Sequence, residues 1–471
     1  MERHLHVFAM CKLAARERDT KHMSEQLELC NNIIETAIKH AGKRTDGVEV
    51  TVSGSNLATS RFANNSMTQN QSPITESVSV RVLIDGRQAR LSGDQTSVKA
   101  VQELVDNTIS AAKLLERDPD LPELVTPDET NGRAPDRFDR DTADIDPDGR
   151  AGHIKEMIDV AKASGLVGAG TYSSGEWYTA IGNSAGIFQF HHETSAEASI
   201  TMRIGDSAGW AKAQSPRARD VKPADLARRA AEKAQRGINP IEIPPGRYKV
   251  ILEPAAVLDL LWFLWYDFSA TSHLDKVSSL LNKVGQKVFE ERINITDDYE
   301  HPLQSGTPFD GEGMSRKVVK LVEKGVFQNM VYGQRSAKKL KKKATGHALQ
   351  EPNVLGEYPQ NLVVGGGNTS LEQMIADADR AILVTRVWYV RVVDPATVLI
   401  TGLTQDGTFL VENGQIKSGV KNMRFNISVL EMLTKVLSLG PSLRTSGEEG
   451  SPAVIPPMTV ADFNFTELSL F

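Results

Sequence analysis

Residues 239–261 read NPIEIPPGRYKVILEPAAVLDLL. Asn239-Pro240 and Pro244-Pro245-Gly246 break the chain, because proline has no backbone N–H and glycine tolerates turns that other residues avoid. The apolar run Tyr248 to Leu252 then reads as a strand, and a helical stretch follows near Ala255 to Trp265. A break of this kind before a new strand and helix is a domain boundary. It separates an N-terminal domain over 23–238 from a C-terminal domain over 246–471.

Working toward the N-terminus, a helix is expected from Ala224 to Arg236, opened by Pro223. Strands are expected over Ala180 to Phe190 and Ala196 to Ile204, and a helix around Ile154 to Ala163. Between Glu116 and Arg150 the prolines at 119, 122, 127, 135 and 147 predict an irregular surface crossing. Before it, Val98, Val101, Val105, Ala112 and Leu115 share one helical face. Val48, Val50 and Val52 alternate as a half-buried strand, as do Val78, Val80, Val82 and Ile84 ahead of an Asp85-Gly86 hairpin turn. Ser24 caps a helix on which Leu27, Cys30, Ile34, Ile38 and Ala41 recur. Residues 1–22 lack the apolar core of a secretory signal, so they read as an extension with translation starting at Met23; an Arg-rich organelle leader is the competing reading.

Toward the C-terminus, a helix near Glu372 to Asp377 lies among short strand-like segments such as Ala381 to Val384 and Val398 to Thr401. This predicts a sheet-rich, barrel-like domain. The fold class is α+β: an N-terminal antiparallel sheet with helices, then the barrel-like domain. No fixed-period repeat is visible, which argues against a solenoid or propeller.

The 471 residues carry 54 basic and 60 acidic side chains, a formal net charge of −6, so no positive field favours nucleic acid or an anionic membrane. The most apolar stretch, Val257 to Trp265, contains Asp259 and falls well short of the ~20 residues that cross a bilayer. Two cysteines, Cys11 and Cys30, are too few to staple a chain of this length and suit a reducing compartment.

Several blocks in order carry a resemblance to a known family. Gly246 to Leu261 resembles the strand and helix that open the C-terminal domain of the TldD/PmbA family of metallopeptidase-like proteins. Pro308-Phe-Asp-Gly-Glu-Gly313 with Leu321-Val-Glu-Lys-Gly-Val326 is similar to its "fDxEG … lIexGvl" block, and Arg335-Ser-Ala337 with Thr345-Gly346 to the loop after it. Gly365-Gly-Gly367 with Ser370-Leu-Glu372, and Val411-Glu-Asn-Gly414, resemble two further elements. The N-terminal half matches more diffusely, through Asn183-Ser-Ala-Gly186. Residues 1–22 and Trp388 to Pro395 have no counterpart. Asp310, Glu312, Gly313, Asn413 and Gly414 are the family-motif residues.

The resemblance implies a cytoplasmic protein of proteolysis or peptide maturation. The family's catalytic branch carries HExxxH on a helix and a later Cys as zinc ligands, a set that can activate water. Here the equivalent helix reads Leu260 to Ser269 without His or Glu, and the place of the Cys reads Thr445-Ser-Gly-Glu-Glu-Gly450. The expectation is the PmbA/TldE branch: no catalytic and no metal-ligating residue in this chain, zinc in a TldD-like partner subunit, and a peptide substrate. A homodimer, a stand-alone peptidase using His191, His192, His273 or His347, and a non-proteolytic binding module are the alternatives.

Other clusters have plainer readings. His191-His192-Glu193 lacks the second His of HExxH, since residue 196 is Ala, and on a strand the two histidines face opposite ways. Asp297-Asp298 and the Asp310/Glu312 pair could do acid–base work, but a structural or turn role is expected for Asp310 and Gly313. Lys338, Lys339, Lys341, Lys342 and Lys343 read as a solvated loop. Trp262, Phe263, Trp265, Tyr266 and Phe268 read as core or subunit interface, and Gly365-Gly-Gly367 as a turn.

Overall fold

The valine alternation does build the first strands. In a computed structural model that describes residues 23–132 and 135–469, Val48, Val50 and Val52 lie on β1 (Gly47–Ala63). The leader reading falls on residues 1–22, outside the described residues. β1 is followed by β2 (Ser66–Gln71), β3 (Ile74–Ile84) and β4 (Arg87–Gly93), then β5 (Val167–Asn183), β6 (Phe188–Ile204) and β7 (Ser207–Ser215). They form one antiparallel seven-stranded sheet in the order β4-β3-β1-β5-β6-β7, with β2 on β1. Asp85 and Gly86, at φ 50° and 71°, make the expected two-residue turn between β3 and β4.

Two helices cover one half of this sheet. Residues 23–41 and Val98–Leu114 bring Cys30, Ile34, Val101 and Val105 against Val48, Val50, Val80 and Val82. Each such side chain, taken out of water, stabilises the fold by roughly 1.5–3 kcal/mol. Pro147–Ala163 and Pro223–Arg236 pack Ile154, Met157, Leu226 and Ala230 on β5–β7 in the same way.

Three expectations shift. The segment Ala180 to Phe190 is not one strand. The side-chain oxygen of Asn183 accepts the Ala185 backbone N–H at 2.9 Å and Gly186 stands at φ 101°, so the chain turns there between β5 and β6. The helix near Ile154 begins earlier, because Asp146 accepts the Gly149 N–H at 2.7 Å and Pro147 occupies a first-turn position where it starts a helix instead of breaking one. The expected polar faces of β1 and β3 are buried as well: Glu49 and Arg81 are both fully enclosed. The outer side of the sheet is covered by loops from the second half of the chain, and the two charges compensate each other.

The second half holds the largest core. Its principal sheet closes on itself. Gly246–Leu252 (β8) pairs parallel with Arg380–Asp394 and antiparallel with Met458–Leu468; that strand pairs with Met423–Ser428, which pairs with Leu399–Glu412, which returns to Arg380–Asp394. This near-closed ring is the barrel-like element expected from sequence. A smaller sheet includes Ile295–Asp297, Val319–Glu323, Leu362–Val364 and Ala453–Ile455. The helix Pro254–Leu261 tightens into a 3-10 segment, Trp262–Phe268. Among the described residues no helix is long and apolar enough to cross a membrane.

Candidate functional site

Helix Pro254–Leu261 and the segment Trp262–Phe268 run beside the loop 445–450. Asp259, with no exposed surface, holds them together. Its Oδ1 accepts the backbone N–H groups of Glu448, Glu449 and Gly450 at 3.1, 2.9 and 3.1 Å, and Oδ2 also accepts that of Glu448 at 3.1 Å. A Cβ on Gly447 would stand 2.1 Å from Oδ1, so glycine is what lets the loop approach. Burial pushes the Asp259 carboxyl up to about 6, against the N–H bonds that pull it down.

The same loop is tied in other directions. Lys212 on β7 donates to the Gly447 carbonyl at 3.0 Å, Ser446 donates to Glu197 on β6 at 3.1 Å, and the Val390 N–H donates to Glu449 at 3.2 Å. Arg444 donates to Gln214, to the Leu303 carbonyl and to the Ser305 hydroxyl at 2.6, 2.6 and 2.8 Å. Loop, helix, N-terminal sheet and ring sheet therefore meet at one junction.

A cavity of about 370 Å³ opens beside it, lined by Trp262, Trp265, Tyr358, Asn361, Ser451 and Pro452 among others. Trp262 and Tyr358 meet edge to face with ring centroids 5.9 Å apart. Among the described residues no charged side chain and no histidine lines this cavity. Its wall at Ser305-Gly306 is fixed from behind: Glu193 accepts the Gly306 N–H at 2.8 Å, and Arg137 donates to the Gly306 carbonyl at 3.0 Å.

The four candidate histidines are dispersed, each with its own partner. His191 meets Glu193 at 3.1 Å and His192 meets Glu176 at 2.9 Å, from opposite faces of β6. His273 meets the Asp267 carbonyl at 2.9 Å, and His347 meets Asp297 at 3.1 Å with neither exposed. Among the described residues no three of His, Cys, Asp or Glu gather as a metal site. At the helix and loop compared above with HExxxH and its Cys, the carboxylates are already engaged, Asp259 by the 448–450 N–H groups, Asp267 by Ser278 and Ser279, Glu448 by Arg386 and Glu449 by the Val390 N–H, and the remaining side chains are mostly indole rings and aliphatic chains. They do not fit a zinc ion, which needs about four converging N, S or O ligands.

The motif residues build a second seam. Asp310 accepts the N–H groups of Glu312 and Met314 at 3.0 Å each and that of Ala348 at 2.9 Å, so it organises its own loop, as expected. Gly313 stands at φ 88°, and a Cβ there would lie 2.5 Å from Ile187 Cδ1. Burial, and the Asp310 carboxyl beside it, push the Glu312 carboxyl well above the ordinary range. Arg81 lies 3.9 Å from Glu312 and 3.4 Å from Glu49 and donates to Gln88 at 2.8 Å; Gln88 in turn donates to Glu351 at 2.9 Å, and Arg335 reaches Glu351 at 3.0 Å. Asn413 and Gly414, far from both seams, form a hairpin turn at φ 49° and 73°. Gly365-Gly-Gly367 is not a turn: a Cβ on Gly367 would stand 2.4 Å from the Leu439 carbonyl oxygen, so these glycines permit close backbone approach. The five lysines are exposed, Lys338 and Lys339 at the end of a short helix, and Lys339 pairs with Asp120 at 2.9 Å.

Sequence reading missed Tyr358 and Ser305, which lie in irregular segments with no periodicity to mark them, and Arg444, on the three-residue strand Leu443–Thr445, too short to show one. The one signal available was Asp259, a lone acid inside an apolar helix, which demands buried partners.

Comparison with known proteins gives the family. Residues 48–112, 140–238 and 245–467 match, in turn, domain 1, the central domain and the C-terminal domain of the PmbA/TldA metallopeptidases. Metalloprotease PmbA of Escherichia coli O157:H7 is 24% identical over 464 residues, covering 93% of this chain and 97% of that protein. A metalloprotease PmbA homolog of Haemophilus influenzae is 27% identical over 233 residues, 47% of this chain and 48% of its own. The crystal structure of TldE from Thermococcus kodakarensis superposes with a TM-score of 0.81 at 21% identity, covering 93% of this chain and all of that one. The chain belongs to the PmbA/TldD metallopeptidase family across all three domains.

Proposed function

We propose that this PmbA/TldD family chain is the non-catalytic, peptide-holding subunit of an assembly whose zinc-bearing, TldD-like partner cleaves the peptide, acting in proteolysis or peptide maturation in the cytoplasm. One observation carries the reading. Where the catalytic branch is expected to place its metal ligands, this chain has Asp259 saturated by the 448–450 backbone, beside a cavity with no acid, base or histidine on its wall.

A side chain acts as general base only within reach of the proton it takes. Ser305 and Ser451 line the cavity without a histidine to activate them. A peptidase built on His347 and Asp297 is disfavoured because both are fully enclosed. The test is metal content and association of the purified full chain. Less than about one-tenth of a zinc per chain, with a mixed complex forming on addition of the TldD-like subunit, is the expected result. About one tightly held zinc per chain would overturn the reading, and a homodimer that persists in the presence of that subunit would overturn the pairing.

A further inference from the structure

From a second pocket, between the N-terminal sheet and the loops of the second half, we infer that Arg316 anchors a subsite for the C-terminal carboxylate of a peptide. This rests on the peptide-holding role proposed above and names the end of the peptide that the role selects.

Arg316 is 4% exposed, and among the described residues its guanidinium makes no ion pair. Nη1 and Nη2 donate to uncharged acceptors, the Gly346 carbonyl at 3.4 Å and Gln360 Oε1 at 2.6 Å, and Nε meets no acceptor. A guanidinium stays charged at every ordinary pH, and a buried charge without a counter-ion in contact is costly. The two acids that act on it through space, Asp297 and Asp310, spend their oxygens elsewhere. Asp310 accepts three backbone N–H groups, and Asp297 holds the Asn361 N–H and His347. Buried donors are normally paired, so the Nε–H left over on Arg316 marks the place of an acceptor supplied from outside.

The pocket fixes what that acceptor is. At about 210 Å³ it falls below the roughly 300–1,000 Å³ of whole-ligand sites, so it takes the end of a chain and not a chain passing through. Its wall sets neutral donors beside Arg316: the hydroxyls of Thr51 on β1 and Thr179 on β5, and the amides of Gln350 and Gln360. Gln350 donates to Thr51 at 3.2 Å, which leaves the Thr51 O–H free to donate in turn. Among the described residues Arg316 is the one cation on this wall and Asp310 the one acid. A doubly charged phosphate would meet a single positive charge and that acid. A carboxylate carries one charge and matches the planar edge of a guanidinium. Burial pushes the Asp310 carboxyl up, toward its neutral form, which lessens its repulsion of an incoming anion. Gln360 also lines the cavity of Trp262 and Tyr358, so the pocket adjoins the candidate site.

The test uses the full chain and three peptides labelled with fluorescein at the N-terminus: Gly-Ser-Ala-Leu-Ala-Leu with a free C-terminus, the same peptide amidated, and the amidated peptide with its last residue changed to Asp. Anisotropy titration at pH 7 should show amidation weakening binding at least tenfold, the scale of a charge-assisted hydrogen bond. The amidated Asp peptide should stay at least threefold weaker than the free one. Arg316→Gln should remove the preference for the free C-terminus and Arg316→Lys should keep part of it, with circular dichroism and the melting midpoint of each variant recorded. Should neither variant fold, the peptide series on the parent chain decides alone. Absent or equal binding of the free and amidated peptides, or a folded Arg316→Gln chain that keeps the full preference, would overturn the inference. An amidated Asp peptide as tight as the free one would overturn the assignment to a C-terminal carboxylate. Failure to pair with the TldD-like subunit would defeat the subunit reading while leaving the carboxylate preference intact, so the two failures are separable.

Discussion

Asp259 couples stability to pH in a direction that can be measured. Burial, outweighing its backbone bonds, pushes its carboxyl up to about 6 in the folded chain, from an ordinary aspartate value of about 4. Between those pH values the folded state keeps a proton that the unfolded state has lost, so the group's contribution is full below pH ~4 and fades as pH rises through ~6. Asp259→Asn retains an acceptor for the Glu448, Glu449 and Gly450 N–H groups and cannot ionise. Urea unfolding at pH 4.5 and 7 should therefore show the variant gaining on the parent by about 2 kcal/mol as pH rises; an identical pH dependence in both would refute the assignment. The placement of an acid inside VLDLLWFLW was legible from sequence, but its partners were not. They are backbone N–H groups about 190 residues away, and backbone donors leave no mark in side-chain identity.

Elements read from periodicity survive best where one face is buried and the other wet. The helix Val98–Leu114 and the hairpin at Asp85-Gly86 follow that rule. The helix after Pro254 was legible in its position and not in its geometry, since its C-terminal part winds as 3-10 while burying Trp265 and Phe268. Trp265→Ala should cost about 3–5 kcal/mol in chemical denaturation, as large-to-small changes at enclosed aromatics do. Asn413 and Gly414, named above only as family-motif residues, form a hairpin turn. There Gly414→Ala should destabilise by about 1–2 kcal/mol, because φ 73° disfavours a Cβ and that Cβ would stand 2.7 Å from the Ala376 carbonyl oxygen. A thermal midpoint equal to the parent's would contradict that account of the turn.

At the scale of the whole chain, the two halves are joined by buried charge. Glu49, Arg81 and Arg90 on the N-terminal sheet meet Glu312, Glu351 and Arg335 from the second half. None of this was legible from alternation, which assigned Glu49 and Arg81 to solvent; only the covering loops make those positions interior. Arg81→Ala leaves Glu312 enclosed without its cation and Glu49 with Arg90 alone, and should cost about 3 kcal/mol. Calorimetry should then show the single transition of the parent giving way to two, the second half unfolding apart from the first. The central claim is that this chain holds peptide and its partner cuts it. The most direct test follows cleavage of a fluorogenic peptide by this chain, by the TldD-like subunit, and by both together. The account predicts no turnover by this chain alone and turnover in the mixture that a zinc chelator abolishes. Turnover by this chain alone, lost on chelation and unchanged by the partner, would contradict it.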